Sequence, residues 1–368
     1  MRNAKSANTG TVKNSCPVTL EQIASKEVLY EAYLQARKGK REGDECFSFE
    51  RELTQNINDL HEELISQTYR PSETFKFVLY CPANNKKRNI AAPRFRDCVV
   101  QHAIYLLIYP HIDKRMIHDS YGCRIGKGNH KASDRCQSFM RKHSGDAYYL
   151  QIDMKKYYNR MSHDVIEESF LRIIDDVRIV NLIMLYPKND SNTGYGMEIG
   201  NLMAQICGVL YLDRFDHYSK RKLKIKHYIR YVDDIVFIGL SKKKAKSLLI
   251  HVKRNLYQHL GMRLSKWKIS KISKGINFVG FRTWRSKRFI RRRSLHNFSK
   301  AVKKKDWIVI TSILAHAKHT SSYVWLINRI IDSFRFKEYK ENLPKRFYHD
   351  LLVYYLQRRR AAWNHQNA

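Results

Sequence analysis

Apolar residues recur at helical spacing over two early stretches. Val28, Tyr30, Ala32 and Tyr33 carry a pattern that starts at Glu27 and runs into the basic knot Lys38-Gly39-Lys40-Arg41, and Leu53, Ile57, Leu60, Leu64 and Ile65 predict a helix over 48–66. Then the period changes. Residues 76–80 read as a strand, followed by a Pro82-Ala-Asn-Asn85 turn and the basic segment Lys86-Lys87-Arg88-Asn89-Ile90. Helix returns over about 97–110, and the glycine-punctuated stretch 120–128 predicts a loop. Tyr148, Leu150 and Ile152 alternate, so 147–153 is expected to be a strand ending on Asp153, with a helix from about 162. Gly200 precedes another helix in which Leu202, Ile206, Val209 and Leu210 share a face. The sharpest local signal is a pair of apolar runs, 228–231 and 235–238, joined by Val232-Asp233-Asp234; it reads as a β-hairpin with two carboxylates at its tip. Ala245, Leu249, Val252, Leu256 and Leu260 mark an amphipathic helix that Gly261 stops, and the last 85 or so residues read as basic, aromatic helices. The polar residues 1–26 are expected to be loose. No repeat of 20–50 residues is visible, which excludes solenoids and propellers.

Composition narrows the class. The 368 residues suffice for two or three folding units, and 69 Lys and Arg against 34 Asp and Glu leave a net charge of +35. Such an excess repels itself unless a polyanion supplies the counter-charge. With 43% hydrophobic and 12% aromatic residues the chain is no disordered basic tail, so a folded nucleic-acid binder is the first reading. The seven cysteines form no C-x-x-C pair, which weakens zinc ribbons and disulfide frameworks alike. No apolar run approaches 18 residues and the amino-terminal stretch has no apolar core. Those features predict a cytoplasmic protein with free thiols and no membrane association.

An arbitrary Asp-Asp pair is most often a solvated turn. This pair sits between two apolar strands that hold the turn beside a core, and Asp153 ends a strand expected in the same sheet. Mg²⁺ favours one or two carboxylates completed by substrate phosphates, and two such ions can clamp the attacking and leaving oxygens of an in-line displacement. Asp153, Asp233 and Asp234 are therefore the candidate ligands of a two-metal Mg²⁺ site, with Mn²⁺ as a substitute.

Tyr231-Val232-Asp233-Asp234 resembles the Y-x-D-D box of reverse transcriptases, and further boxes stand around it in order. Asp153-Met-Lys-Lys-Tyr157-Tyr158 resembles the first catalytic-aspartate motif. Ser120-Tyr-Gly-Cys-Arg124, with His130 and Ala132, resembles S-x-G-F-R-P-G with Cys in place of Phe. Residues 260–268 resemble L-G-L-x-L-N-x-x-K, and Asn277-Phe278-Val279-Gly280-Phe281 resembles the F-L-G-Y primer-grip turn. The resemblance implies an α+β right-hand polymerase: a flexible basic segment at 1–26, fingers at 27–110, palm at 111–162 and 199–284 with an antiparallel sheet, a fingers insertion at 163–198 and a short basic helical thumb at 285–368.

The same resemblance implies roles. Asp153 and Asp233 would ligate both metals, with Asp234 more peripheral; Lys268 would be the general acid for pyrophosphate, with an exposed lysine at a helix end as the plain alternative. Tyr158 would exclude a ribose 2′-hydroxyl, and Arg88, backed by Lys87, would grip the triphosphate. Ile199, Gly200 and Gln205 would lie against the incoming nucleotide; Arg124, Lys127, Phe278 and Gly280 would contact nucleic acid. Arg285, Arg288, Arg291, Arg292 and Arg293, interleaved with apolar residues, would track its phosphates.

Among bacterial members the local likeness is to diversity-generating-retroelement and antiphage-defence reverse transcriptases. Ile199-Gly200 stands where group II intron and retron enzymes usually have Gln-Gly, Ala204 where the retroelement pattern has Ser, and Glu198 where Pro is common. Glu198 would accept a hydrogen bond from a base amino group or, as the plain alternative, point to solvent or pair with a nearby lysine. The implied activity is RNA-directed DNA synthesis from dNTPs, making cDNA on an associated non-coding RNA, with an accessory protein or a second copy as further partners. A polymerase-fold RNA-binding or assembly protein without turnover, and a polymerase making repetitive or protein-primed DNA, are the alternatives.

Overall fold

The computed structural model describes residues 16–81 and 86–366. β1 (Phe75–Cys81) and β2 (Lys86–Ala92) form an antiparallel ribbon; the expected turn at 82–85 lies outside the described residues. β3 (Tyr148–Met154), β4 (Tyr228–Tyr231), β5 (Asp234–Leu240) and β6 (Leu264–Lys271) make an antiparallel sheet in the order β4-β5-β3-β6. β7 (Ile276–Phe278), β8 (Phe281–Thr283) and β9 (Arg288–Ile290) form a small meander.

Strand alternation divides the four-stranded sheet between two cores. Leu150, Ile152, Ile235 and Phe237 join the largest apolar cluster with Ala245, Leu248 and Val252 of the Lys242–Leu260 helix. Tyr149, Val236 and Ile238 belong to a smaller one with Phe139 and Met140 of the Asn129–Arg141 helix and Ile276 and Phe278 of β7. A third cluster begins at Phe281 and Ile290 and gathers Phe298, Ile310, Leu326, Ile330 and Phe347 from the C-terminal helices. Three cores thus meet around β3, β5 and the β7–β8 hairpin.

Several expectations need correction. Residues 16–26 are folded: Cys16 is buried and donates its N–H to the Ile173 carbonyl at 2.7 Å, and the Leu20–Ala24 helix buries Leu20 and Ile23. Their partners lie beyond any local pattern: the short helix packs on the Leu53–Ile65 helix, and Leu20 N–H donates to the Asp176 carboxylate at 2.9 Å. The helix expected over 48–66 is two helices, Asp44–Arg51 and Leu53–Ile65, broken at Glu52 (φ −119°, ψ 37°). The break sets Phe49 against Phe95, ring centres 5.3 Å apart, while Ile57, Leu60 and Leu64 keep a separate buried face. Nor is the region from 285 wholly helical. Arg288 and Ile290 alternate inward as β9 before the Arg292–Lys304 helix starts. Among the described residues no helix is long and apolar enough to cross a membrane.

Candidate catalytic cleft

Tyr231 pairs with Asp234, leaving Val232 and Asp233 as a two-residue hairpin loop. Val232 takes φ 54°, a region that β-branched residues rarely enter. Its surroundings enforce it. Arg230, fully buried, donates from Nη1 to the Val232 carbonyl at 3.1 Å and from Nε and Nη2 to the Asp216 carboxylate at 2.6–2.9 Å. The Tyr228 hydroxyl donates to the same carboxylate at 2.5 Å. From the other side, Gly122 comes so close that a Cβ on it would lie 2.4 Å from Val232 Cγ2 and 2.8 Å from the Val232 nitrogen. The glycine is needed here because two backbones touch.

Asp153 and Asp234 are direct cross-strand partners, so their side chains leave the sheet on one face, the face that also carries Gln151. The Gln151 amide donates to Asp234 Oδ1 at 3.0 Å and to the Asn277 carbonyl at 2.8 Å, tying β3 to the β7–β8 hairpin. The Ser265 hydroxyl donates to the Asp153 carboxylate. Burial, with the charges of Asp233 and Asp153, pushes the Asp234 carboxyl up to about 7, against the Gln151 bond and the Arg291 charge.

Among the described residues no three His, Cys, Asp or Glu side chains are gathered closely enough to hold an ion unaided. A hard divalent cation does not need that, since it takes a few carboxylates and completes its shell with water and phosphate oxygens. Apposed carboxylates whose repulsion raises a pKa are a donor set that fits such an ion.

Over this face opens a cleft of about 900 Å³ whose walls include Gln151, Asp153, Asp234, Lys268, Arg282 and Arg291. An acidic floor thus meets basic walls. Lys268 lies on β6 opposite Gln151, on a strand and not at a helix end; the register turns its side chain to the carboxylate face.

The nucleotide-side candidates also converge. Tyr158 packs on the Leu202–Leu210 helix at Gly208, where a Cβ would sit 2.7 Å from the Tyr158 hydroxyl oxygen. Burial, with the charges of Cys123 and Asp233, raises the Tyr158 pKa, while Arg88 is near enough to oppose the shift. Arg88 and Lys87 are exposed on β2. The Ile199 carbonyl accepts from Ala91 N–H at 2.9 Å, and Gly200 (φ 139°) has no room for a Cβ, which would lie 2.5 Å from the Ala91 oxygen. The 199–200 segment is therefore fastened to β2, with Gln205 exposed on the following helix. Glu198 is paired with a lysine: Lys76 Nζ is 2.8 Å away.

Four residues expected on nucleic acid are held by the protein itself, three of them with buried side chains. The Arg124 side chain is 6% exposed and donates to the Asp113 carboxylate (2.6 Å) and the Ile117 (2.7 Å) and Ser120 (3.0 Å) carbonyls. Lys127 donates to the His118 carbonyl at 2.8 Å over the Tyr121 ring. Phe278 is fully buried, and Arg288 bonds Asp134 (2.6 Å) and the His319 carbonyl (2.7 Å). A loop arginine with several free carbonyls in reach is worth more to the fold than to solvent. Gly280 forms the β7–β8 turn under the His316 ring, while Arg285, Arg291, Arg292 and Arg293 are exposed. Sequence reasoning missed Arg230, Asp216, Gln151 and Ser265. An arginine inside the apolar run Tyr-Ile-Arg-Tyr was the available signal, since a charge there must find a partner.

The fold and cleft are those of a nucleotidyl-transferring right-hand polymerase. The reverse transcriptase (RNA-dependent DNA polymerase) family model matches residues 81–283, more than half of the chain, and the protein belongs to that family. Protein YkfC of Escherichia coli (strain K12) is 23% identical over 280 residues, 64% of this chain and 73% of YkfC. Among solved structures, apo telomerase from Candida tropicalis matches at 12% identity and TM-score 0.48 over 77% of this chain and 62% of its own. Telomerase from Candida albicans in complex with a TWJ fragment of telomeric RNA matches at 11% and 0.46 over 77% and 61%. The chain spans 55–62% of the telomerase chains it matches.

Proposed function

We propose that the protein adds deoxynucleotides to a 3′-hydroxyl on an RNA template, making cDNA from an associated structured RNA. The observation that carries this reading is the pairing of Asp153 with Asp234 beside the Val232-Asp233 turn, inside the segment that matches the family. Asp153, Asp233 and Asp234 would hold Mg²⁺, or Mn²⁺ in its place; when bound, the metal activates the 3′-hydroxyl and neutralises triphosphate charge.

The chain's own groups do the rest. Arg88 and Lys87 grip the triphosphate, and the Tyr158 ring fills the space a 2′-hydroxyl would need. Lys268 donates a proton to the leaving pyrophosphate from the cleft wall. The β1–β2 ribbon and the helices before it serve as fingers, the four-stranded sheet as palm, and the C-terminal helical cluster as a thumb. Antiphage defence or retroelement diversification is the setting that the Ile199-Gly200 segment favours, with an accessory protein or second copy as further partner.

Two substitutions test the reading. Asp233→Asn is expected to retain fold and RNA affinity while primer extension with Mg²⁺ falls by about 10³ or more; near-parental extension would end the assignment. Tyr158→Ala is expected to raise rNTP relative to dNTP incorporation, and an unchanged ratio in an active variant removes Tyr158 from that role.

A further inference from the structure

From Ile235 to Lys305 the chain contains 22 Lys and Arg and not one Asp or Glu. Only part of this charge faces the cleft, as Lys266, Lys268, Arg282, Arg291 and Arg292 do. Another part lies across the sheet. Lys242, Lys246, Ile250, Lys253 and Tyr257 recur at spacings of four, four, three and four along the Lys242–Leu260 helix, forming one stripe parallel to its axis. All five are exposed, Ile250 at 65% and Tyr257 at 54%.

The stripe runs beside β6, the edge strand of the sheet. Trp267 pairs with Ile152, whose side chain packs on this helix, so its ring lies on the helix side. It is 52% exposed, with Lys253 Nζ 3.6 Å from the ring centre. Arg263 stands 5.1 Å from the Tyr257 ring. Trp267 also borders the cleft, so stripe and cleft are continuous around one strand. Lysines on an edge strand by themselves only discourage sheet-to-sheet pairing. Two exposed aromatic rings, each attended by a cation, along a helix whose basic residues make no ion pair among the described residues, call for an anionic partner with stackable faces.

We propose that this helix flank is a second nucleic-acid site, which takes single-stranded RNA leaving the cleft around β6. Unpaired bases stack on Trp267 and Tyr257, and their phosphates meet Lys246, Lys253 and Arg263. The site does not need turnover in the cleft. It holds the RNA flanking a copied segment, so that the copied region can be drawn through while its neighbour stays bound.

The test uses the full chain and an RNA–DNA hybrid bearing an unpaired RNA extension of about 2 or about 20 nucleotides, at either end in turn. The parent is expected to bind a long extension at least tenfold more tightly than the short one. Lys246→Ala/Lys253→Ala/Tyr257→Ala should abolish that gain while leaving affinity and primer extension on the short hybrid unchanged. The milder Lys246→Gln/Lys253→Gln, checked by matched thermal unfolding, should lower the salt slope on the long hybrid by about 1.4. Equal losses on both hybrids, or no loss of the gain, overturn the proposal. So does loss of binding to phosphatidylglycerol vesicles with the RNA gain intact, which would assign the flank to membranes. If the parent makes no DNA yet shows the gain, the polymerase reading fails and this one stands.

Discussion

The two hairpins that border the cleft look alike and are held differently. Both close through two residues led by a valine at positive φ, Val232 at 54° and Val279 at 44°. In the β4–β5 hairpin the partner is Asp233, and the turn rests on a fully buried Arg230–Asp216 pair and on Gly122. In the β7–β8 hairpin the partner is Gly280 (φ 92°), which by itself permits a tight turn. Its strands stand in different cores, Phe278 with the sheet and Phe281 with the C-terminal helices. The first turn is kept in place by charge buried inside one body; the second joins two bodies. Strain of this kind is tolerated where the surroundings over-determine the backbone, and the first hairpin carries a carboxylate that must be aimed.

The largest effect should come from Arg230. Arg230→Met leaves the Asp216 carboxylate buried without its partner and should cost about 3–5 kcal/mol in urea unfolding. Adding Asp216→Leu should restore most of that stability. Primer extension should stay low in the double variant, because Val232 has lost its donor; full recovery of both would mean the pair serves stability alone.

Asp234 offers an intermediate effect of opposite sign. Its folded-state pKa of about 7 stands above the unfolded value, so the folded state holds the proton more tightly. Stability from this group is present at low pH and lost as pH rises from about 4 to about 7. Asp234→Asn keeps the Gln151 bond without the charge and should gain stability above pH 7, by up to about 4 kcal/mol, and nothing below pH 4, at the expense of synthesis. A pH-independent gain would show that burial and repulsion do not act on Asp234.

The smallest change tests the second turn. Val279→Asn creates an Asn-Gly turn suited to positive φ, and should alter stability by no more than about 1 kcal/mol, relief of strain offsetting lost apolar contact. Destabilisation as large as that of Arg230→Met would make the two hairpins equivalent.

Much of the site could be read from local pattern. The β4–β5 hairpin, the strand ending at Asp153, the Lys242–Leu260 helix with its stop at Gly261 and the 120–128 loop all follow from periodicity and turn chemistry, which act over a few residues. The helix over 48–66 failed because a single Glu52 break leaves the apolar spacing almost unchanged. Arg124 and Arg288 were assigned to nucleic acid because an arginine in a loop or basic run looks free until its carbonyl and carboxylate partners are in view.

Most elements around the cleft, the order of the chemical groups and the basic excess were legible from the chain alone, since these rest on neighbours in sequence; the folded 16–26 segment, the break at Glu52 and β9 were not. Only the tertiary structure decided which charges are spent inside and which remain for a ligand. A buried guanidinium takes whichever acceptors the fold brings within reach, as Arg230 takes Asp216 and the Val232 carbonyl, and desolvation makes that choice binding. The same holds for Asp153 and Asp234: 81 positions separate them in the chain, and strand register makes them neighbours whose repulsion leaves room for a cation.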